Sequence, residues 1–261
     1  MHPYVGITGP VTTEEVNAII SEYAAAGYSM SSNHMPMIGF LASYKTLNGL
    51  PTENRRYPPV GDIPALLTAA RGKVFPAIHY NSREMETLSS QLERLFAPVY
   101  DAALCRATQL NIIWPPINQL EMVKGTMPGL QIIFQLSHKA MDGRTPAQIS
   151  TEICKYGKTI DYVLIDPSGG RGKEFDIGNS VMLYYAIREK NPRICVGFAG
   201  GFTGDNVAER VHELIKKTGD SSFCIDAEGG LRDKVTENYG DDLLNMGKVR
   251  KYLQSAASVL P

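Results

Sequence analysis

Eight short apolar runs alternating with eight segments of helical period predict an α/β fold, a (β/α)₈ barrel, over residues 1–261 as one domain. Three observations carry this. The alternation implies parallel strands covered by helices, the count of eight favours closure over an open sheet, and no linker or low-complexity stretch divides the chain. An open doubly wound sheet is the alternative, but it calls for a G-x-G-x-x-G turn after the first strand. Gly6-Ile7-Thr8-Gly9-Pro10 does not supply one.

The first strand is expected at Tyr4–Thr8. The helix after it, Thr13–Ala26, has Thr12 or Thr13 as a cap, Glu14 and Glu15 at its positive end, and Gly27 to stop it. Val16, Ile19, Ile20 and Tyr23 fall on one face of that helix. The second strand, Pro36–Ala42, leads into the longest loop, Ser43–Asp62, which is rich in Pro, Asn and Gly and would hang over the active-site face of a barrel. Helix Ile63–Arg71 follows, then strand Val74–Tyr80 and helix Ser82–Pro98. The fourth strand is expected at Leu110–Trp114, closed by the rigid Trp114-Pro115-Pro116 turn that would shape a pocket, with helix Ile117–Lys124 behind it. Strand Leu130–Leu136 and helix Pro146–Tyr156 come next. The last three units pair strand Asp161–Ile165 with helix Ile177–Lys190, Arg193–Phe198 with Gly204–Lys217, and Ser222–Ile225 with Asp242–Ser258.

Bulk properties narrow the function classes. The formal net charge is −1, with no cluster of Lys and Arg among aromatics, so nucleic acid has no electrostatic support as a partner. The longest apolar runs are strand-length, so no membrane span is expected, and the N-terminus enters a strand-like segment at once, leaving no room for a signal peptide. Cys105, Cys154, Cys195 and Cys224 are spaced too widely for a metal pair or a disulfide framework. They read as small hydrophobes in a reducing, cytoplasmic compartment. No cofactor and no metal is expected, and a homodimer is the one macromolecular assembly left open.

Catalytic groups in such barrels come from the C-terminal strand ends and the loops that follow. The sixth strand ends in Asp166 and runs into Pro167-Ser168-Gly169-Gly170-Arg171-Gly172-Lys173, a carboxyl group at a barrel mouth beside a glycine-rich cover. A capping or lysine-paired Asp166 is the structural alternative. The seventh strand ends at Gly200-Gly201 and the eighth at Asp226-Ala227-Glu228-Gly229-Gly230. Backbone amides at glycine pairs can approach an anion closely, and the seventh and eighth strand ends are where barrels commonly hold phosphate. The expected partner is therefore a phosphorylated small molecule. His79 and Asn81 end the third strand and His138 with Lys139 ends the fifth; each could face the pocket as an acid or base, and Lys139 could form a Schiff base only if desolvated.

These segments resemble the phosphoribosylanthranilate isomerase family. Asp166 followed by Gly169-Gly170-Arg171-Gly172-Lys173-Glu174-Phe175-Asp176 is similar to its Asp and G-G-x-G-K-x-F-D, and Gly200 to Val207 to its G-G-L-x-x-x-N-V. Asp226 to Arg232 aligns loosely with its Asp and S-S-G-V-E, and Gly39-Phe40 through Arg55-Arg56-Tyr57 with its G-F segment ending in K-R-Y. The resemblance is specific from about Asp161 to Arg232 and faint elsewhere. It implies a barrel of the ribulose-phosphate-binding type and an Amadori rearrangement in tryptophan biosynthesis. Asp166 would be the general acid, Gly170, Gly200, Gly201, Gly229 and Gly230 would lie in or beside the phosphate loops, and Arg56 would pair with a substrate carboxylate. Two places depart from the pattern. Val5 stands where the family has its general-base cysteine, and Ile113-Trp114-Pro115-Pro116 stands for Q-L-H-G. Asp226, Glu228 and His79 are the candidates for the missing base, and a sugar-phosphate-binding barrel without catalysis is the alternative reading.

Overall fold

The computed structural model describes residues 1–168 and 175–260. Eight parallel strands close into a barrel in sequence order: β1 (Tyr4–Thr8), β2 (Met35–Ser43), β3 (Phe75–Asn81), β4 (Ala107–Leu110), β5 (Gln131–Ser137), β6 (Tyr162–Asp166), β7 (Cys195–Ala199) and β8 (Cys224–Ala227). β1 pairs with β8 to close the ring, with Gly6 opposite Asp226. Helices α1 (Thr13–Ala25), α2 (Tyr44–Leu47), α3 (Ile63–Ala70), α4 (Leu88–Phe96), α5 (Ile117–Thr126), α6 (His138–Met141), α7 (Pro146–Lys155), α8 (Ile177–Lys190), α9 (Val207–Thr218) and α10 (Met246–Ala257) lie along the chain between and after the strands. Among the described residues no helix is long and apolar enough to cross a membrane.

The first helix shows how local chemistry sets the frame. Thr12 Oγ1 accepts from the Glu15 amide at 3.2 Å, Glu14 and Glu15 occupy the first turn, and Gly27 just beyond the end has φ 88°. Val16, Ile19 and Tyr23 are buried, and the Tyr23 hydroxyl donates to the carbonyls of Val5 and Met37, stitching α1 to the backbones of β1 and β2.

Strand residues alternate between two apolar clusters. One set faces the helices, and Val5, Ile7, Ile38, Phe40, Phe134 and Phe198 belong to it. The other fills the lower lumen, where Tyr4, Phe75 and Tyr162 meet with ring centroids 5.9 to 6.3 Å apart over Met37, Ile133 and Leu164. The four cysteines are free; Cys195 and Cys224 lie in the lumen cluster with sulfurs 3.6 Å apart.

Three element positions differ most from the sequence expectation. The helix expected at Ser82–Pro98 spans only Leu88–Phe96, after a 3-10 turn at Met85–Thr87. The fourth strand is Ala107–Leu110, not Leu110–Trp114. Its Thr108 and Gln109 are polar yet buried, because Thr108 Oγ1 donates to the Ile78 carbonyl at 3.0 Å and Gln109 Nε2 to Gln135 Oε1 at 3.2 Å, so an apolar-run criterion skips them. The last helix begins at Met246, capped by Asn245 through the Lys248 amide. Asp242 to Leu244 instead forms β10 (Asp242–Leu244), antiparallel to β9 (Arg232–Lys234) in a small hairpin after the eighth strand.

Candidate active site

The strand alternation that buries Tyr4 and Met37 in the lower lumen carries a polar layer at the upper end of the same strands. Thr8, His79, Gln109, Gln135, Asp166 and Asp226 are all buried there. Thr8 Oγ1 donates to Asp226 Oδ1 at 3.2 Å and lies 3.4 Å from His79 Nδ1. Gln109 Nε2 donates to Gln135 Oε1, and Gln135 Nε2 to Asp166 Oδ2 at 2.5 Å. Asp166 Oδ1 accepts from the Ser168 amide at 3.0 Å and hydroxyl at 2.8 Å, which fixes the carboxyl orientation from the start of the next loop.

Two glycines make room for this layer. A Cβ on Gly6 would come within 2.7 Å of Asp226 Oδ1, and one on Gly39 within 2.5 Å of both His79 Nε2 and Thr8 Oγ1. Burial, with the charges of Glu228 and Asp166, pushes Asp226 well above the usual carboxylate range, against the opposing Thr8 hydrogen bond. Burial alone lowers His79 to about 3, so its ring is neutral. Burial also raises Glu228, against the pull of Arg56.

The two glycine pairs meet. Gly200 and Gly201 have φ 115° and 66°, a backbone conformation that other residues rarely adopt. Asn206 ties this turn down, donating to the Gly201 carbonyl and accepting from the Thr203 amide, both at 2.8 Å. Gly230 packs so closely on the seventh-strand turn that a Cβ there would lie 2.1 Å from the Phe202 carbonyl oxygen. One cavity is lined by Gly200, Gly201, Gly229 and Gly230 together with Asp166 and Asp226. A second cavity adjoins it through Gln109, Gln135 and Glu228. Gly170 lies outside the described residues.

Other sequence candidates sit elsewhere. Val5 packs among the helix-facing residues, while Thr8 of the same strand reaches the mouth. Trp114 lines neither mouth cavity. It has φ 47°, donates from Nε1 to the Ala140 carbonyl and packs on Phe134 and Tyr156, outside the lumen. Lys139 is exposed in α6, and exposed His138 lines a separate cavity beside Met141 and Leu183.

Arg56 is buried rather than presented to a ligand carboxylate. Its Nη1 donates to Glu228 at 2.5 Å, its Nε and Nη2 to Asp242 at 3.0 and 2.5 Å, and its guanidinium stacks on Tyr239 at 4.8 Å. Arg232 Nε donates at 2.6 Å to Asp242 Oδ1, the oxygen that also accepts from Arg56 Nε, and Arg232 Nη1 donates to the Gly9 carbonyl. Burial of Asp242 is outweighed by these two guanidinium groups, which hold it below the usual carboxylate range. The long second loop is thereby fastened to the hairpin, an attachment continued by the Arg55 amide donating to the Gly240 carbonyl. The roles of Gln109 and Gln135 escaped sequence reading, because an isolated glutamine in a strand carries no motif. Asp242 escaped it because the segment read as helix.

Comparison with known proteins speaks to the fold. No family model and no curated protein matches the sequence. Solved structures do match in shape. The phosphoribosyl anthranilate isomerase from Thermotoga maritima superposes with TM-score 0.61 at 15% identity, over 98% of this chain and 99% of that one. A phosphoribosyl anthranilate isomerase in complex with reduced 1-(o-carboxyphenylamino)-1-deoxyribulose 5-phosphate gives 0.60 at 14%, again over 98% and 99%. Tryptophan synthase subunit alpha from Legionella pneumophila gives 0.59 at 12%, over 99% of this chain and 92% of that one. The likeness is one of fold. It agrees with the closed eight-stranded barrel described above.

Proposed function

We propose that this barrel is an isomerase or lyase acting on a phosphorylated sugar-type small molecule. The observation that supports it is the single cavity joining both glycine turns to Asp166 and Asp226. In this reading the phosphate rests against main-chain amides of the Gly200-Gly201 and Gly229-Gly230 turns, and the carbon skeleton extends over the two carboxyl groups. Burial and the neighbouring charges of Glu228 and Asp166 push Asp226 upward, which suits it to hold a proton. It donates to a substrate oxygen as a ring opens or a carbonyl is polarised, and Asp166 takes the proton from the neighbouring carbon and returns it. This exchanges the acid role that the resemblance implies for Asp166. It also removes the need for a base on β1, where Val5 faces the helices. Isomerisation and elimination share the carbon–proton transfer, so exchange of that proton with solvent reports both.

The test is deuterium incorporation from D₂O, followed by proton NMR, into a set of aldose and ketose phosphates together with the glycosylamine phosphate phosphoribosylanthranilate. Exchange is expected with at least one of them. Asp166→Asn or Asp226→Asn should slow it by about 10²- to 10⁴-fold while inorganic phosphate still binds. No exchange with any member, or exchange that survives both substitutions, overturns the assignment. Exchange confined to phosphoribosylanthranilate would place the chain in the tryptophan pathway.

A further inference from the structure

The two carboxyl groups of the glycine-lined cavity are buried alike but held differently. Thr8 Oγ1 donates to Asp226 at 3.2 Å from one oxygen and 3.3 Å from the other. Asp166 is gripped from two directions. Ser168, at the start of the following loop, gives its amide and hydroxyl to Oδ1, and Gln135, in the barrel wall, gives its NH₂ to Oδ2 at 2.5 Å.

Strand register explains why glutamines can do this. Gln109 lies opposite Ile133 and Gln135 opposite Leu164, so Gln135 and then Asp166 each stand two positions further along the adjacent strand. Two positions is the period of one strand face, which keeps all three residues in the lumen, one step apart. A glutamine side chain is long enough to bridge each step. The relay also has a direction. A carboxylate only accepts, so Gln135 turns its NH₂ toward Asp166, and its carbonyl then takes the Gln109 NH₂ at 3.2 Å. Gln109 thus holds the Gln135 amide the right way round, and Gln135 holds Asp166. Since Oδ1 already takes two donors from Ser168, proton transfer falls to Oδ2, the oxygen whose aim Gln135 sets. Gln135 lines both mouth cavities, so it sets this aim at their junction.

We propose that Gln135 is a positioning residue, which aims Asp166 Oδ2 at the carbon-bound proton of a sugar phosphate while Gln109 fixes the Gln135 amide behind it. The inference rests on the reading of Asp166 as the base of the proposed reaction. Neither glutamine has to meet the substrate for this role. A glutamine pair that merely satisfied buried polar groups would affect stability and leave both the turnover of bound substrate and its pH dependence as they are.

Deuterium exchange into the same aldose and ketose phosphates, followed against their concentration and against pH, tests it. In Gln135→Met, which keeps the reach of the side chain but has no donor, the maximal exchange rate should fall about tenfold to a hundredfold, with the half-saturating concentration within about twofold of the parent chain. Gln109→Met, one step further back, should cost about threefold. Gln135→Glu keeps the shape but sets a second carboxyl group against Asp166. Two carboxyl groups this close share a proton, so the acid limb of its exchange profile should move to higher pH. The other titratable groups lining the two cavities are Asp226, Glu228, His79 and the phenols of Tyr57, Tyr80 and Tyr239, and all are the same in the variant. Should Gln135→Met fail to fold, Gln135→Glu carries the test through its pH profile. An unchanged maximal rate in Gln135→Met, a loss matched by an equal rise in half-saturating concentration, or an unmoved acid limb in Gln135→Glu overturns the inference alone. No exchange by the parent chain overturns the reading of Asp166 on which it rests.

Discussion

The lower and upper halves of the barrel lumen are built by the same eight strands, yet they do opposite things. Below, Tyr4, Met37, Ile133 and Leu164 close the lumen with apolar volume. A few residues further along, the same strands present Thr8, His79, Gln135 and Asp166. Both layers are out of water. The lower one gains free energy from that burial, while the upper one has to offset the desolvation of carboxyl, imidazole and amide groups with hydrogen bonds, and at Gln109 and His79 it does so incompletely. What distinguishes the two is therefore where burial is left uncompensated, and this is the half whose side chains line the two mouth cavities.

The largest expected stability effect lies where the rim is fully compensated. Arg56→Leu would leave Asp242 with Arg232 alone and Glu228 without its 2.5 Å partner. Removing one member of a buried ionic cluster costs about 3–5 kcal/mol. Urea unfolding should show a loss near this size. A loss within a few tenths of a kcal/mol would mean that the loop is not fastened through this group. In the lower half, Leu164→Ala should cost about 2–5 kcal/mol by opening a cavity in the apolar plug, with inorganic phosphate affinity unchanged. If phosphate affinity fell in step with stability, the two halves would not be separable as described. Gly39→Ala crosses the boundary. Its Cβ would press on His79 and Thr8 at 2.5 Å, and overpacking of this kind costs about 1–3 kcal/mol. Unlike Leu164→Ala, it should also weaken sugar-phosphate binding, because it moves the imidazole.

The sequence made the lower half and the frame legible and the upper half only in part. Alternating apolar runs locate seven strands to within a few residues, because a strand buried on both faces reads as a continuous hydrophobic stretch. The fourth was displaced for the reason that makes it interesting. Thr108 and Gln109 are buried through hydrogen bonds rather than through hydrophobicity. Asp166 and the glycine pairs were visible because a carboxyl group at a strand mouth and paired glycines in a turn each have few structural uses. Arg56 was visible as a residue but not in its partners, since Asp242 is 186 positions away and its segment carries helical period. The relay from Gln109 through Gln135 to Asp166 has no one-dimensional trace at all; it exists because the β4–β5 and β5–β6 registers bring three lumen-facing residues side by side.

The smallest expected effect is the most discriminating, because its sign differs between the two halves. Unfolded aspartates titrate near about 3.9. Asp226 titrates above that in the folded chain, so the folded state holds the proton more tightly than the unfolded one, and stability falls as pH rises from about 4 toward the folded value. Glu228 contributes in the same direction, whereas Asp242, held low by its guanidinium partners, contributes stability that is present above about pH 4 and lost as pH falls below it. Asp226→Asn removes the first contribution. The variant should match the parent chain at pH 4, exceed it in urea midpoint at pH 7, and show a shallower decline between the two. Substitutions in the apolar plug do the reverse, lowering the midpoint equally at every pH, since no titrating group is involved. An Asp226→Asn midpoint below that of the parent at pH 7 would show that the carboxyl group is a structural anchor. A midpoint above it, together with lost proton exchange, would show that the folded chain carries a strained carboxyl group at the cost of its own stability, as expected of a group kept for chemistry.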